Sequence, residues 1–269
     1  MEESGYLDDE ARLYNRRAMN QDGATAASMH EQLRQDAEGV ILFDPTLSPQ
    51  VDGRWFDPAY WRDRAALSTQ AGGRGGVAMI ATPAGECVLR HYRRGGMVAA
   101  LMGDRYGWTG ADRTRSFAEF RLLQAMARLE LPTPRVVAAR YQRLGLHYRA
   151  DLITRRIPHT QTLAECLAEA RLDAELAQEV GALVARFHRA GVWHADLNAH
   201  NVLMASSALY LIDFDRGRLR APGQGWRIAN LQRLRRSLFK LGAAADGETV
   251  FDRKIWTPLM YGYERTLSA

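Results

Sequence analysis

The sequence predicts an α+β chain in two lobes, a small antiparallel-sheet N-lobe followed by a mainly helical C-lobe. Three observations carry this. Over residues 77–154, short apolar segments alternate with turns bearing glycine or proline. From Leu163 onward, apolar residues recur at three- and four-residue spacing. A short apolar hairpin, 202–204 with 208–212, then interrupts the helices between two polar loops. At 269 residues and 46% hydrophobic content the chain has ample material for a core. The expected organisation is a flexible or loosely docked arm over 1–39, the N-lobe over 40–157 and the C-lobe over 158–269.

Each element has a local reason. Val40-Ile41-Leu42-Phe43 is an apolar run stopped by Asp44-Pro45. Asp57 before Pro58 reads as an N-cap with proline at the first helical position. Strands are expected over 77–81 and 87–92 about the turn Pro83-Ala84-Gly85, and over 135–141 and 146–154 about Gly145. Between the two pairs, Phe117, Phe120, Leu123 and Ala127 mark a helix over 116–130, closed by Leu131-Pro132. A hinge offering backbone groups to an adenine ring is expected near 153–157. In the C-lobe, one stripe runs Leu163, Cys166, Leu167, Ala170 and another Leu176, Val180, Leu183, Val184, Phe187, stopped by Gly191. Leu231, Leu234, Leu238 and Leu241 mark a helix over 226–241. After a loose loop over 242–249, Trp256, Leu259, Met260, Tyr263 and Leu267 mark a final packing helix.

The formal charge is +5, and only Lys240 and Lys254 are lysines. Arginine suits forked contacts to phosphate and carboxylate. The chain shows no helix-turn-helix, zinc-finger or aromatic RNA-binding signature, so nucleic acid is not an expected partner. Cys87 and Cys166 form no CxxC, which fits a reducing compartment. There is neither a signal-peptide pattern nor an apolar span of about twenty residues, so a cytosolic protein, or one peripheral to a membrane, is expected.

The chemistry concentrates in His194-Ala195-Asp196-Leu197-Asn198-Ala199-His200-Asn201 and Leu211-Ile212-Asp213-Phe214-Asp215. Asp196 is placed to receive a hydroxyl proton. Asn201 and Asp213 offer a hard amide oxygen and a carboxylate, the donors Mg²⁺ takes beside phosphate oxygens. His194 reads as a structural imidazole bonded to the loop backbone. The order H-x-D-L-x-x-x-N, strand, turn, strand, D-F resembles the catalytic and metal loops of the protein kinase fold, with ATP and Mg²⁺ as the cofactors so implied. One departure is Asp215, where glycine is usual; it could add a metal or sugar contact, or mark a loop that needs no positive φ.

In the N-lobe, Gly73, Gly75 and Gly76 could bring backbone N–H groups to phosphates. Arg90 stands where such a strand would carry lysine, and its expected partner is Glu119. Asp215, Arg216 and Arg218 are candidates for an anionic acceptor. Arg227, Arg233, Arg235 and Arg236 on the later helix could line an acceptor pocket, lie against anionic lipid, or form a solvated face.

Over roughly residues 40–240 the chain resembles the 3-deoxy-D-manno-octulosonic acid (Kdo) kinases of the lipopolysaccharide core kinase family. The residues carrying the resemblance are the two loops above with Arg216-Gly217-Arg218, together with 88–96, Asp104-Arg105-Tyr106, 114–120 and 148–154. The resemblance implies a protein kinase-like fold and ATP-dependent phosphorylation of the 4-hydroxyl of Kdo on lipid A precursor. It also implies a peripheral position on the cytoplasmic face of the cell inner membrane, against an anionic surface. A heptose or other sugar kinase of the same group, a small atypical protein kinase, and a catalytically silent module binding lipid A or a partner are the alternatives.

Overall fold

A computed structural model describes residues 31–68, 77–93, 103–206 and 208–269. Gly73, Gly75 and Gly76 lie outside the described residues, as do residues 1–30 of the expected arm. The chain divides into two compact units, one comprising His30–Thr160 with Tyr210–Arg216, the other Gln161–Leu209 with Gly217–Ala269. The first is built on an antiparallel sheet and the second mainly on helices, which is the α+β composition that the sequence predicts.

In the sheet unit the strands are β1 (Gln32–Gln35), β2 (Val40–Phe43), β3 (Leu67–Ser68), β4 (Val77–Thr82), β5 (Gly85–His91), β6 (Tyr106–Gly107), β7 (Val136–Leu144) and β8 (His147–Arg155). They lie in the order β1-β2-β7-β8-β5-β4-β3, with β6 also on β8. Strand β1 falls inside the stretch expected to be an arm. All four of its residues are exposed; it is held by backbone pairing with β2 and by Arg34, whose guanidinium donates to Val51 O and lies over Phe43, and so it leaves no apolar period in the sequence.

Both faces of this sheet are covered. One face carries Ile41, Phe43, Ile80, Leu89 and Ile153 against Trp55, Phe56 and Trp61. Trp61 belongs to helix α1 (Pro58–Arg62), whose start is held as expected: the Asp57 carboxylate accepts from Ala59 N–H at 2.8 Å. The other face takes helix α2 (Arg115–Arg128) through Phe117, Phe120, Leu123 and Met126. Adjacent strand residues point opposite ways, and β7 shows it: the Arg140 guanidinium lies over Phe56, while Tyr141 packs edge-on against Phe117.

The helical unit contains β9 (Gln161–Thr162), α3 (Leu163–Ala168), α4 (Ala174–Arg189), β10 (Val192–Trp193) and β11 (Val202–Met204). After β12 (Leu209–Leu211) come β13 (Arg218–Leu219), α5 (Gln224–Lys240), α6 (Glu248–Phe251) and α7 (Thr257–Ser268). The tail becomes helical at Glu248, earlier than expected, and passes through a π turn over Asp252–Trp256. Helices α4 and α7 meet backbone to backbone. A Cβ on Gly181 would lie 1.9 Å from Leu259 O, and one on Gly262 would lie 2.1 Å from Gln178 O. Only glycine permits that approach at either point.

Both cysteines are buried free thiols. Among the described residues no helix is long and apolar enough to cross a membrane.

Candidate active site

The catalytic loop sits in the helical unit between β10 and β11. Asn198 caps the 3-10 turn Ala199–Asn201, its side-chain oxygen accepting from His200 N–H at 2.9 Å. The carbonyl of Asp196 accepts from both amide side chains, Asn201 Nδ2 at 2.9 Å and Asn198 Nδ2 at 3.1 Å. His194 is buried, and its Nδ1 accepts the Asp196 N–H at 3.1 Å. An acceptor nitrogen carries no proton, so this contact requires a neutral imidazole protonated at Nε2. With its backbone held from three directions, Asp196 keeps its carboxylate 57% exposed, available to a hydroxyl. His200 is exposed on the loop surface.

Two residues outside the expected set hold this loop to the helices behind it. The Asn230 amide on α5 accepts from His194 N–H at 3.2 Å and donates to His194 O at 2.8 Å. Asn230 also lies 3.4 Å from His188 Nε2, whose Nδ1 is 2.9 Å from the Tyr263 hydroxyl on α7. Burial holds His188 down at about 4, so it is neutral there at ordinary pH. The sequence signal for Asn230 is slight: it stands four residues before Leu234 and eight before Leu238, and so on the buried face of α5.

The sheet unit carries the second half of the chemistry. Arg90 on β5 and Tyr92, the residue just past its end, share a face, being two residues apart in extended chain. Arg90 bridges two carboxylates, Asp213 through Nη1 and Glu119 through Nη2. The Tyr92 hydroxyl donates to the same Glu119 oxygen at 2.6 Å and accepts from Arg90 Nη2 at 3.1 Å. Burial raises the Glu119 pKa, with Arg90 opposing it. Burial also acts to lower the Arg90 pKa, but Glu119, Tyr92, Asp213 and Asp215 outweigh it, so the group stays cationic. A planar fork spans two carboxylates where a point-charged ammonium would not. That is a structural reason for arginine at this position.

Asp215 is held by Arg115, the first residue of α2, in a two-pronged pair whose Nε–Oδ1 distance is 2.8 Å. Arg115 also lies over the Tyr106 ring. Arg115 falls within the 114–120 segment that carries the resemblance, and nothing in its local spacing pairs it with Asp215. Asp213 and Arg216 both adopt positive φ, 61° and 59°. For a residue other than glycine such backbone is uncommon and clusters at functional loops. Asp215 does not share it, which accounts for a side chain where glycine is usual. Arg216 and Arg218 are exposed, Arg218 on the edge pair β10–β13. In the expected hinge, the N–H groups of Arg155 and Arg156 are committed to Arg135 O and Glu86 O.

No cluster of three or more His, Cys, Asp or Glu side chains suited to a metal occurs among the described residues. The donor set that fits Mg²⁺ is an amide and a carboxylate completed by nucleotide oxygens. Asn201 spends its Nδ2 on Asp196 O and so can direct Oδ1 elsewhere. In the sheet unit, two guanidinium groups face three carboxylates, an imbalance that suits a cation.

Residues 58–263 match the lipopolysaccharide kinase (Kdo/WaaP) family. The chain belongs to that family. It is an ATP-dependent phosphotransferase. A 3-deoxy-D-manno-octulosonic acid kinase from Xanthomonas axonopodis pv. citri (strain 306) is 51% identical over 213 residues, covering 79% of this chain and 85% of its own. Its namesake from Stenotrophomonas maltophilia (strain R551-3) is 48% identical over the same shares. A solved structure described as WaaP in complex with acyl carrier protein aligns at TM-score 0.48 and 18% identity, over 76% of this chain and 82% of that one.

Proposed function

We propose that the chain transfers the γ-phosphoryl group of ATP to the 4-hydroxyl of Kdo on lipid A precursor. The names of the relatives support the acceptor. The observation that carries the reaction is the Asp196 loop, where a tightly held backbone presents an exposed carboxylate. Asp196 receives the proton of the attacking hydroxyl as the new O–P bond forms and the bond to ADP breaks. Asn201 and Asp213 would hold Mg²⁺, which supplies charge neutralisation at the phosphates. Arg90 aligns Asp213 and, with the Gly73, Gly75 and Gly76 segment, steadies the nucleotide phosphates.

The site of work in this reading is the anionic cytoplasmic face of the inner membrane, with the protein peripheral. An arginine-rich, lysine-poor composition supports a carboxylated and phosphorylated acceptor. The test is incubation with labelled ATP and Mg²⁺ and either Kdo-lipid A precursor or heptosylated core, with mass detection of the product. Phosphate on the Kdo 4-hydroxyl is the expected result. Phosphate on heptose alone would replace this acceptor with that one, and a membrane-flotation assay with anionic vesicles tests the location.

A further inference from the structure

The arginines of α5 are not equivalent. Arg235 is committed to Glu248 and Asp252, and Arg227 donates to His188 O. Arg233 instead reaches Asp196, Nη1 to Oδ1 at 3.3 Å, and among the described residues has no other partner. Its place is set by the helix. Asn230, three residues before it, holds His194, and Ser237, four residues after it, accepts the Ala199 N–H at 3.1 Å. Residues at this spacing share a helix face, so Arg233 is bracketed by two contacts that fix α5 against the catalytic loop. Its side chain is 47% exposed.

A cation beside the catalytic carboxylate has a use that a solvated arginine lacks. A guanidinium carries five N–H donors, and one is spent on Asp196. The remainder of the fork points to an anion arriving with the hydroxyl. We propose that Arg233 reads the acceptor, taking the carboxylate of the sugar acid while its hydroxyl lies on Asp196. This rests on the acceptor reading above and adds a residue that selects for it. In Kdo the acid group is attached to the carbon two positions from the 4-hydroxyl carbon, so one sugar ring can engage both residues. On the other Asp196 oxygen, Asn198 Nδ2 donates at 3.2 Å, which leaves the Arg233 side as the charged one.

The test measures kcat and KM for the full-length wild type, Arg233→Ala and Arg233→Lys with Kdo-lipid A precursor and with its carboxamide analogue. A charge-assisted contact predicts that Arg233→Ala raises KM for the acid about ten- to a hundredfold. On the carboxamide, Arg233→Ala should cost at least about tenfold less in KM than on the acid, since the amide has no charge to pair with the guanidinium and any loss that comes through Asp196 is common to both acceptors. Arg233→Lys should fall between, keeping the charge and losing the fork. Equal losses on both acceptors, or no loss on either, would overturn the assignment. Absence of product from the wild type with the acid acceptor would overturn the acceptor reading itself and Arg233 with it, a result distinct from the other two. Unchanged melting temperatures identify any loss as one of recognition.

Discussion

Arg115 grips Asp215 with both prongs of its guanidinium, joining the first residue of α2 to the loop that carries Asp213. Both side chains are about four-fifths buried. Removing one partner strands the other, at a cost of about 1–3 kcal/mol. Arg115→Met should therefore lower the melting temperature and also raise the Mg²⁺ concentration giving half-maximal activity. Asp215→Asn should move both in the same direction. A normal Mg²⁺ titration in a destabilised Arg115→Met protein would show that the pair serves stability alone.

Asp196→Ala should abolish phosphoryl transfer while Mg-ATP still raises the melting temperature, since a ligand that binds only the folded state stabilises it. Turnover within about tenfold of wild type, against the 10²–10⁴-fold typical of a lost general base, would remove Asp196 from that role.

Arg90→Ala should be more damaging to stability than an ordinary surface change. It leaves Glu119 buried beside Tyr92 without its cation, a loss of about 3–5 kcal/mol for a broken buried pair. Arg90→Ala with Glu119→Gln should recover part of this, because the neutral amide needs no counter-charge. Arg90→Lys should fold better than Arg90→Ala yet show a raised KM for ATP. Urea denaturation and nucleotide titration read the two effects separately.

His188 makes folding sensitive to acid. Its folded pKa, about 4, lies below the ordinary 6.5, so the unfolded chain binds the extra proton first. The stabilisation from neutral His188 is complete above 6.5 and is lost as pH falls toward 4, a swing of about 3 kcal/mol. His91 acts in the opposite sense: its hydrogen bond to Asp151 raises its pKa against the opposing effect of burial. Comparing wild type with His188→Gln by thermal denaturation between pH 7 and 4.5 cancels the His91 contribution. The variant should show the flatter profile, and parallel profiles would contradict the assignment.

Gly181→Ala and Gly262→Ala should each destabilise by more than about 1 kcal/mol, since the new methyl meets backbone carbonyls that cannot rotate away. Equilibrium unfolding in urea measures this, and a neutral effect at either position would mean that α4 and α7 do not approach so closely.

Features that depend on near neighbours were legible in the order of residues alone. Strand alternation, the Asp57–Pro58 helix start, the α4 stripe ended by Gly191, and the H-x-D-L-x-x-x-N spacing are all set within a few residues, so each leaves a readable period or pattern. Glu119 could be named as the partner of Arg90 because the resemblance supplied it. The exposed strand β1 left no such trace, since backbone pairing and the long-range contacts of Arg34 hold it without an apolar period.

Which charges meet was settled by packing in three dimensions. Asp213 lies 123 residues from Arg90, and Asp215 lies 100 from Arg115, separations that leave no local spacing to read. Asn230 and His188 were hidden for the same reason, as polar groups whose partners come from other elements. Among many arginines with similar local surroundings, folding alone set Arg115 on Asp215, Arg90 between two carboxylates and Arg233 beside Asp196. A side-chain ion pair is selected by distance in space, and that distance exists only once each unit has packed on its own core.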